Sequence, residues 1–581
     1  MSNEELSQIF TRIADLLEIK GENRFKVLAY RRASESIRSY PDDVSSLSQE
    51  ELVDIPGIGQ ALAEKIVEYS QTGQLKFLNK LEKEVPPTLI ELLEVPGIGP
   101  KRINLFWKSL GVTTLDELEE AARSGKLINL PGMGEKSTAR ILAGIQALRL
   151  KKKRYPIHEA ETIAQEWKER ISQVEGVQYI EIAGSLRRMC PTIGDIDLVG
   201  SAESSLKVMD FFVSQPEVVE VLSQGDFKSS IRLINGVEVQ LWLQPKEKFG
   251  SLLQFVTGSK NHNVRLRELA NKQGLSLSER GFVTNDLKEI FCEEESKVYS
   301  TLGLAFIPPE LREDRGEIEA AAKNNLPNLI QREDLVCDLH LHSEWSDGKH
   351  SLREMANAAM NSGLKLIAFT DHSSSAPTSR EEDKLTIEDI SKRTQAIREL
   401  QDEMKDILII LNGIEVEILL DGRLDFPDKV LEAFDLVIAS IHLGLDQTPE
   451  QLTKRLLSAI QNPLVDMIGH PGGKGLFGSG AQELDWQHIF AAANKYNTIL
   501  EINSNPLHLV LDDIHARQAA RAGVLLAINS DAHTTSNISQ IKYGLGIGRR
   551  AWLTPENVLN ASEPNKVLEW INNRRAKSAG R

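Results

Sequence analysis

The chain has 581 residues, 41% hydrophobic and 26% charged, which suits several ordinary globular domains and makes one compact core the wrong expectation. Its formal charge is −16, from 68 Lys and Arg against 84 Asp and Glu, which taken alone argues against a simple nucleic-acid coat protein. No apolar run approaches the roughly 20 residues of a membrane helix. The opening MSNEELSQIF is acidic where a secretory leader is basic and then apolar. Three cysteines (Cys190, Cys292, Cys337) make no disulfide framework, so a cytoplasmic protein with no membrane partner is expected.

The first feature along the chain is a repeat. Leu52-Val53-Asp54-Ile55-Pro56-Gly57-Ile58-Gly59 returns as Leu92-Leu93-Glu94-Val95-Pro96-Gly97-Ile98-Gly99 and as Leu127-Ile128-Asn129-Leu130-Pro131-Gly132-Met133-Gly134. Each copy is expected between two helical runs, the second of them at residues 61–69, 101–110 and 136–148. Pro-Gly-x-Gly makes a tight turn whose glycines take positive φ, and the next helix starts there with free N–H groups and its positive dipole end. The pattern resembles helix-hairpin-helix motifs, and implies a grip on a nucleic-acid backbone at Gly57, Gly59, Gly97, Gly99, Gly132 and Gly134. Residues 101–154 carry 12 basic and 5 acidic residues and end in Lys151-Lys152-Lys153-Arg154, which as a run on its own reads equally well as a solvated linker.

After a break at Arg154-Tyr155-Pro156, a strand is expected at 179–183. It leads to Gly184-Ser185-Leu186-Arg187-Arg188 and then to Gly194-Asp195-Ile196-Asp197-Leu198-Val199. Strand alternation puts Asp195 and Asp197 on one face, about 7 Å apart, where two carboxylates can share divalent metals. The Gly-Ser turn offers N–H groups and a hydroxyl to a triphosphate, with Arg188 as a charged clamp.

Gly184-Ser185…Asp195-x-Asp197 resembles the nucleotidyltransferase signature of family X DNA polymerases, and the similarity extends over residues 1–315. Phe25-Lys26…Ala29-Tyr30-Arg31-Arg32-Ala33 and Ala63-Glu64-Lys65 resemble the lyase domain of DNA polymerase beta. That resemblance implies a Schiff base at Lys65 with a 5′-deoxyribose phosphate, or alternatively a phosphate contact. Phe255-Val256-Thr257-Gly258-Ser259, Asn263 and Arg267 resemble the segment around the incoming nucleotide and the nascent pair. The nucleotide-binding set implied is Gly184, Ser185, Arg188, Gly194, Phe255, Gly258, Asn263 and Arg267. Asp195, Asp197 and Glu238 would hold Mg²⁺ or Mn²⁺, with Glu238 as base or metal ligand near the primer 3′-hydroxyl.

Two departures stand out. Where the family has Asp and, two residues on, usually Arg, this chain has Glu238 and Gln240. One methylene shifts the carboxylate by about 1–1.5 Å, and a displacement of about 1 Å can reduce a rate roughly a hundredfold. Phe255-Val256 replaces the common Tyr-Phe pair, which leaves sugar discrimination open.

The last part of the chain alternates strands with helices, and each strand ends in polar residues: Asp338-Leu339-His340-Leu341-His342 with Asp347 beyond, Asp371-His372, Glu415, His442, His470, and Asp531-Ala532-His533. This describes a (β/α) barrel with a site on its top face. Six histidines (His340, His342, His372, His442, His470, His533) with Asp347, Glu415 and Asp531 are nitrogen and oxygen donors without a thiolate, suited to two or three Zn²⁺, Mn²⁺ or Fe²⁺ ions. Such a cluster suits phosphoester hydrolysis. Asp371 and Glu501 are left as orienting partners of ligand imidazoles or as strand-end caps. The nine ligands resemble the PHP (polymerase and histidinol phosphatase) domain. A polymerase X core followed by PHP is the architecture of bacterial and archaeal PolX proteins, which implies Mn²⁺-dependent 3′-5′ exonuclease, AP endonuclease or 3′-end phosphatase chemistry.

The expected protein is therefore multidomain α/β. Residues 1–85 are a lyase-like helical domain with the first helix-hairpin-helix, and 86–154 a thumb-like helical domain with the other two. Residues 155–243 are a nucleotidyltransferase palm and 244–314 a fingers-like nucleotide-binding subdomain, with a linker at 315–332 and a PHP hydrolase at 333–575. The function expected is base-excision or end repair by a monomer acting on gapped or nicked DNA with dNTPs. The alternative is a DNA-end nuclease or phosphatase whose polymerase site is weak or inactive because of Glu238. A DNA-binding scaffold with two vestigial sites is opposed by the intact nine-ligand set, and a small-molecule phosphatase leaves the three hairpins without a use.

Overall fold

A computed structural model describes residues 3–40, 44, 47–376, 385–472 and 484–579. The chain divides into two compact units, residues 1–153 and 154–581.

The first unit is helical: α1 (Asn3–Lys20), α2 (Arg24–Ser39), α3 (Gln49–Val53), α4 (Gln60–Thr72), α5 (Lys76–Glu84), α6 (Pro100–Leu110), α7 (Leu115–Arg123) and α8 (Glu135–Lys152). Starts are set by local chemistry. Asn23 accepts from the Phe25 N–H at α2, and Ser48 with Glu51 and Thr114 with Glu117 form capping boxes on α3 and α7. One hydrophobic core runs from Leu6 and Phe10 through Leu81, Val85, Leu89 and Leu92 to Leu148, so it crosses the boundary expected at 85/86 without a gap.

The three repeats fold alike. Gly57, Gly97 and Gly132 have φ of 92°, 84° and 74°, where only glycine is relaxed. The N–H of Ile58, Ile98 and Met133 closes each turn onto the carbonyl of Ile55, Val95 and Leu130. The leading helix differs from the expectation in two copies. Only α3 is α-helical there, whereas Pro87–Glu94 and Lys126–Asn129 are 3-10 turns, the former opened by Pro86-Pro87.

The second unit begins with α9 (Ile157–Ser172), whose Trp167 meets Phe212 edge-on under a five-stranded sheet. Its strands are β1 (Val177–Ile182), β2 (Ile196–Ala202), β3 (Val218–Ser223), β4 (Lys228–Leu233) and β5 (Glu238–Leu243), in the order β1-β2-β5-β4-β3. Only β2 and β5 are parallel, with Asp197 paired to Gln240. The short α10 (Gly184–Arg187) follows β1, and α11 (Phe249–Thr257), α12 (Lys260–Lys272), a small three-stranded sheet and α13 (Glu295–Thr301) come after β5.

The segment 315–332 is not a linker. It contains α14 (Glu317–Ala322), and Ile318, Ala321 and Leu329 join the core under Tyr299. Its charged composition misled because Glu317 is fully buried, 2.6 Å from His262 Nδ1, and takes the Asp314 and Arg315 N–H groups.

The barrel strands are β6 (Cys337–Leu341), β7 (Leu366–Phe369), β8 (Ile409–Glu417), β9 (Leu436–Ser440), β10 (Met467–Ile468), β11 (Ile499–Asn503) and β12 (Leu526–Asn529). They pair in that order, all parallel, and a bridge from Leu341 to Ala532 nearly closes the ring. Both faces of each strand are covered, which is why they read as near-continuous apolar runs. After β12 come α15 (Ile541–Arg550) and α16 (Pro564–Ala579). Among the described residues no helix is long and apolar enough to cross a membrane.

Candidate active sites

Every one of the nine expected ligands lies at the carboxyl end of a barrel strand or just beyond it, and the geometry gathers them. Three overlapping groups have ligand atoms all within 4.8 Å of one another: His342, Asp347, His372 and His533; His340, His342 and Asp531; and His372, Glu415 and His442. His342 belongs to the first two groups and His372 to the first and third, so the three positions are contiguous. His470 completes the set through Nε2, 3.0 Å from Glu415 Oε1. Glu415 is central, because its Oε2 also lies 3.2 Å from His340 Nε2 and 2.9 Å from His372 Nδ1.

These atoms are close without satisfying one another. His340 Nε2, both ring nitrogens of His342, His372 Nδ1 and Glu415 Oε2 are buried and make no hydrogen bond of normal geometry among the described residues. Orphaned buried donors of this kind are costly unless something else binds them. A cluster of imidazoles and carboxylates aimed at shared points fits divalent metal ions. Two of these residues also have left-handed backbone, His470 at φ 28° and Asp531 at φ 52°.

Electrostatics follow from burial and neighbours. Burial, with His533 and His372 alongside, pushes His342 down to about 4, so it is a neutral donor. Burial opposes protonation of His533, yet Asp347 and Asp531 carry it up to about 9. For His340, burial is likewise outweighed by Glu501, Glu415 and Asp531, which hold it well above the usual histidine range. Glu415 and Asp531 stay far below the ordinary carboxylate range despite burial, because histidines surround them.

The orienting partners are partly those expected. Glu501 lies 2.7 Å from His340 Nδ1 and accepts from the His470 N–H at 2.8 Å. Asp371 has no hydrogen bond to an imidazole among the described residues. It accepts from Arg393 Nε at 2.6 Å and from Ser343 and Ser346, bracing the loop that carries Asp347. Sequence reasoning missed Glu417, which lies 2.8 Å from His442 Nδ1, although its spacing of two from Glu415 on one strand was a usable signal. Asp338 accepts from the Ser530 and His340 N–H groups rather than facing the cluster. A cavity of about 450 Å³ opens onto the ligands and is lined also by Ile441, Leu445 and Val510 with Asn505 and His508.

The second site lies on β2 and β5. Gly184 sits at φ 61°, and a Cβ there would collide with Asp197 Oδ2, so the Gly-Ser turn closes directly on this carboxylate. Asp197 is pushed up to about 7 by burial and then by Asp195. Glu238 is raised by the same two causes. Gln240 Nε2 donates to Asp195 Oδ2 at 2.9 Å and lies 3.5 Å from Glu238 Oε1. Three hard oxygen donors, two of them held above the usual carboxylate range by burial and by Asp195, suit a divalent cation. They are nevertheless not drawn together: Asp195, Asp197 and Glu238 do not form a group within 4.8 Å.

Of the expected nucleotide-binding residues, Gly258 and Arg188 meet, since Arg188 Nη1 donates to the Thr257 carbonyl at 2.5 Å and a Cβ on Gly258 would lie 3.1 Å from it. Arg188 also pairs through Nε with Glu313 at 3.0 Å. Asn263 holds the Phe255 carbonyl at 2.7 Å, and Arg267 Nε donates to the Asn263 carbonyl at 3.3 Å. Gly194 lies beside Arg154. Arg187, not expected as a site residue, is bound by Thr257 and Glu295, which also holds the buried Arg312. In the first unit, Gly59 and Gly99 begin α4 and α6 with no side chain capping them, which leaves N–H groups at both hairpins. Lys65 is half-buried, donates to the Ala61 carbonyl at 3.0 Å and lies 5.4 Å from the Phe77 ring centre.

The chain matches four protein families: a helix-hairpin-helix domain at residues 1–75, a SAM-like helix-hairpin-helix tandem at 89–147, the DNA polymerase beta thumb at 252–313 and the PHP domain at 338–505. The word thumb therefore belongs to the segment expected as fingers-like, and 86–154 is a hairpin tandem. The DNA polymerase/3′-5′ exonuclease PolX of Bacillus subtilis (strain 168) is 36% identical over 574 residues, spanning 98% of this chain and 99% of that one. A probable phosphatase of Thermoanaerobacter sp. (strain X514) is 30% identical over 257 residues, 42% of this chain and 98% of that protein. The probable phosphatase YcdX of Escherichia coli O81 (strain ED1a) is 27% identical over 254 residues, 41% of this chain and 94% of its own.

Proposed function

Because the chain belongs to the PolX family of DNA polymerase/3′-5′ exonucleases, we propose that it extends primers at gaps in DNA from the Asp195/Asp197 site and hydrolyses 3′ ends at the barrel. The observation that carries the hydrolytic half is the set of buried, unsatisfied imidazoles and carboxylates arranged as three contiguous groups. Both sites take divalent metals, and the assignment of two or three Zn²⁺, Mn²⁺ or Fe²⁺ to the barrel and Mg²⁺ or Mn²⁺ to the polymerase site is part of the proposal. Bound there, such ions supply Lewis acidity to phosphate oxygens and lower the pKa of water.

The chain's own residues do the remaining work. In the barrel, Glu501 and Glu417 fix the rings of His340 and His442, so their free nitrogens point to the cluster. Ile441, Leu445 and Val510 shield one side of the cavity from water, while Asn505 and His508 offer hydrogen bonds to the terminal nucleotide. At the polymerase site, the Gly184-Ser185 turn and Arg188 bind the triphosphate, Asn263 holds the Phe255 segment against the nascent pair, and the uncapped hairpin N-termini hold DNA phosphates. The lyase reading of Lys65 is kept beside that of a phosphate contact, and the protein acts as a monomer on gapped or nicked DNA with dNTPs.

A second reading has one observation in its favour. The three polymerase carboxylates are not gathered, and Gln240 engages Asp195; this fits a hydrolase whose polymerase is weak. The test is a primer at a one-nucleotide gap with Mn²⁺, with and without dNTPs. Asp195→Ala should abolish lengthening and preserve shortening, and His340→Ala the reverse. Loss of the same activity in both variants would refute two separate sites.

A further inference from the structure

Arg550 ends α15 of the barrel and is 6% exposed, yet its bonds lead away from the barrel's metal ligands. Its Nη1 donates to the Arg188 carbonyl oxygen at 2.9 Å and to Glu313 Oε1 at 2.8 Å, and lies 3.4 Å from Cys190 Sγ. Its Nη2 lies 3.0 Å from Asp513 Oδ2, an acid that also receives Arg315 Nη1 at 2.8 Å. Glu313 Oε1 in turn receives Arg188 Nε at 3.0 Å, and Arg188 reaches the carbonyl of Thr257, next to Gly258. A continuous run of charge-assisted hydrogen bonds thus joins the hydrolase barrel to the turn and segment that face a nucleotide.

The seam around Arg550 is closely built. Gly546 lets α15 approach Met189, because a Cβ there would lie 2.8 Å from the Met189 Cβ. Tyr543 and Lys542 both hold Glu161 at 2.7 Å, and Arg549 holds Glu310 at 2.7 Å. Arg550 differs from these in touching the turn itself and in sharing one carboxylate with Arg188.

That sharing has an electrostatic consequence. Glu313 Oε1 is shared by Arg550 Nη1 at 2.8 Å and Arg188 Nε at 3.0 Å, so one carboxylate charge faces two guanidiniums and Arg188 keeps net positive charge for an anion. Without Arg550, Glu313 is left to neutralise Arg188, and the turn loses the bond on its Arg188 carbonyl. We infer that Arg550, a residue of the PHP barrel, is a positioning residue for the polymerase: it holds the Gly-Ser turn and frees Arg188 to bind the triphosphate of the incoming nucleotide. The inference rests on the reading of Arg188 as a triphosphate contact.

Removing Arg550 orphans neither acid, since Asp513 keeps Arg315 and Glu313 keeps Arg188, so the variant should fold. The experiment uses the full chain with Arg550→Met, Arg550→Lys, Arg550→Met/Glu313→Gln and Arg188→Met. It measures dNTP affinity by equilibrium titration, KM and kcat for gap filling, and 3′ hydrolysis. Arg550→Met should raise the dNTP Kd and KM about tenfold, the size of one partly screened charge interaction, with kcat and 3′ hydrolysis within about twofold. Arg550→Lys should recover part of the loss, and Glu313→Gln in the double variant should recover most of it, because it removes the competing carboxylate. Unchanged dNTP affinity in Arg550→Met, parallel loss of hydrolysis, or no rescue by Glu313→Gln would each overturn the inference. A parent chain that binds dNTP equally well with Arg188→Met would instead sink the reading of Arg188 beneath it.

Discussion

Replacing Glu501 with Gln changes one atom at the back of the barrel site. The carboxylate receives the Asn529 amide at 2.9 Å and sits 2.7 Å from His340 Nδ1 with one oxygen, and receives the His470 N–H at 2.8 Å and the Asn503 amide at 3.3 Å with the other. Glutamine has a single oxygen, so whichever way it turns its NH₂ faces two of these four partners. Burial would raise Glu501, but His340 and His470 keep it below the usual carboxylate range, so an anion is what the site is built around. Losing an orienting carboxylate behind a ligand imidazole typically weakens metal binding about 10–100-fold, which is about 1.4–2.8 kcal/mol. Each donor left facing the NH₂ group costs a further ~1–3 kcal/mol of stability. The assay is the Mn²⁺ concentration giving half-maximal 3′ hydrolysis in a buffered-metal series, on protein shown by circular dichroism to be folded. The midpoint should rise by at least about tenfold while extension at the Asp195 site is untouched. An unchanged midpoint in folded Glu501→Gln would refute the claim that Glu501 sets His340.

Three other outcomes follow from the same geometry. Gly184→Ala puts a methyl group onto Asp197 and strains a φ of 61°, so single-turnover extension should fall on the order of a hundredfold with 3′ hydrolysis unchanged. Glu238→Asp withdraws the carboxylate from Gln240 Nε2, now 3.5 Å away, and extension should rise severalfold; a fall would show that the chain is tuned to Glu. Glu295 is buried, and although burial opposes ionisation, Arg312 and Arg187 hold its pKa at about 2. A depressed folded pKa adds stability that is fully present above the unfolded value near 4.5 and is lost as pH falls toward about 2, a total of roughly 3 kcal/mol. Denaturation curves between pH 5 and pH 2 should therefore lose this slope in Glu295→Gln, which is also less stable at pH 7 because Arg312 is left uncompensated.

The hydrolytic site was legible because its chemistry is carried by residue type and position together. Strand-end histidines and carboxylates mark one face of the barrel, where eight of the nine expected ligands fall in the three groups and His470 lies beside Glu415. Glu417 was harder to read, since its spacing of two from Glu415 places it on the same strand face but does not say that its oxygen meets His442. The hairpins were legible as turns but not in their leading halves, because an eight-residue 3-10 turn such as Pro87–Glu94 has no helical period to detect. The segment 315–332 was misread because composition cannot tell a solvated acid from Glu317, buried beside His262. Nothing in the pattern of Asp195, Asp197 and Glu238 indicated that Gln240 would donate to Asp195, because that depends on how the two side chains meet between neighbouring strands.

Net charge shows the same limit in a different form. Residues 301–581 hold 40 acidic against 29 basic residues, −11 of the total −16, which as a bare sum reads as a surface hostile to DNA. The structure meets several of those acids with groups that the total counts as neutral. Glu415, Asp531 and Glu501 are enclosed among imidazoles, and Glu417 lies 2.8 Å from His442 Nδ1. Their charge is met within a few ångströms, so it contributes little at the distance of a phosphate backbone. What a nucleic acid meets is set by which charges remain unpaired at the surface, and a sequence total weighs buried and surface charges alike.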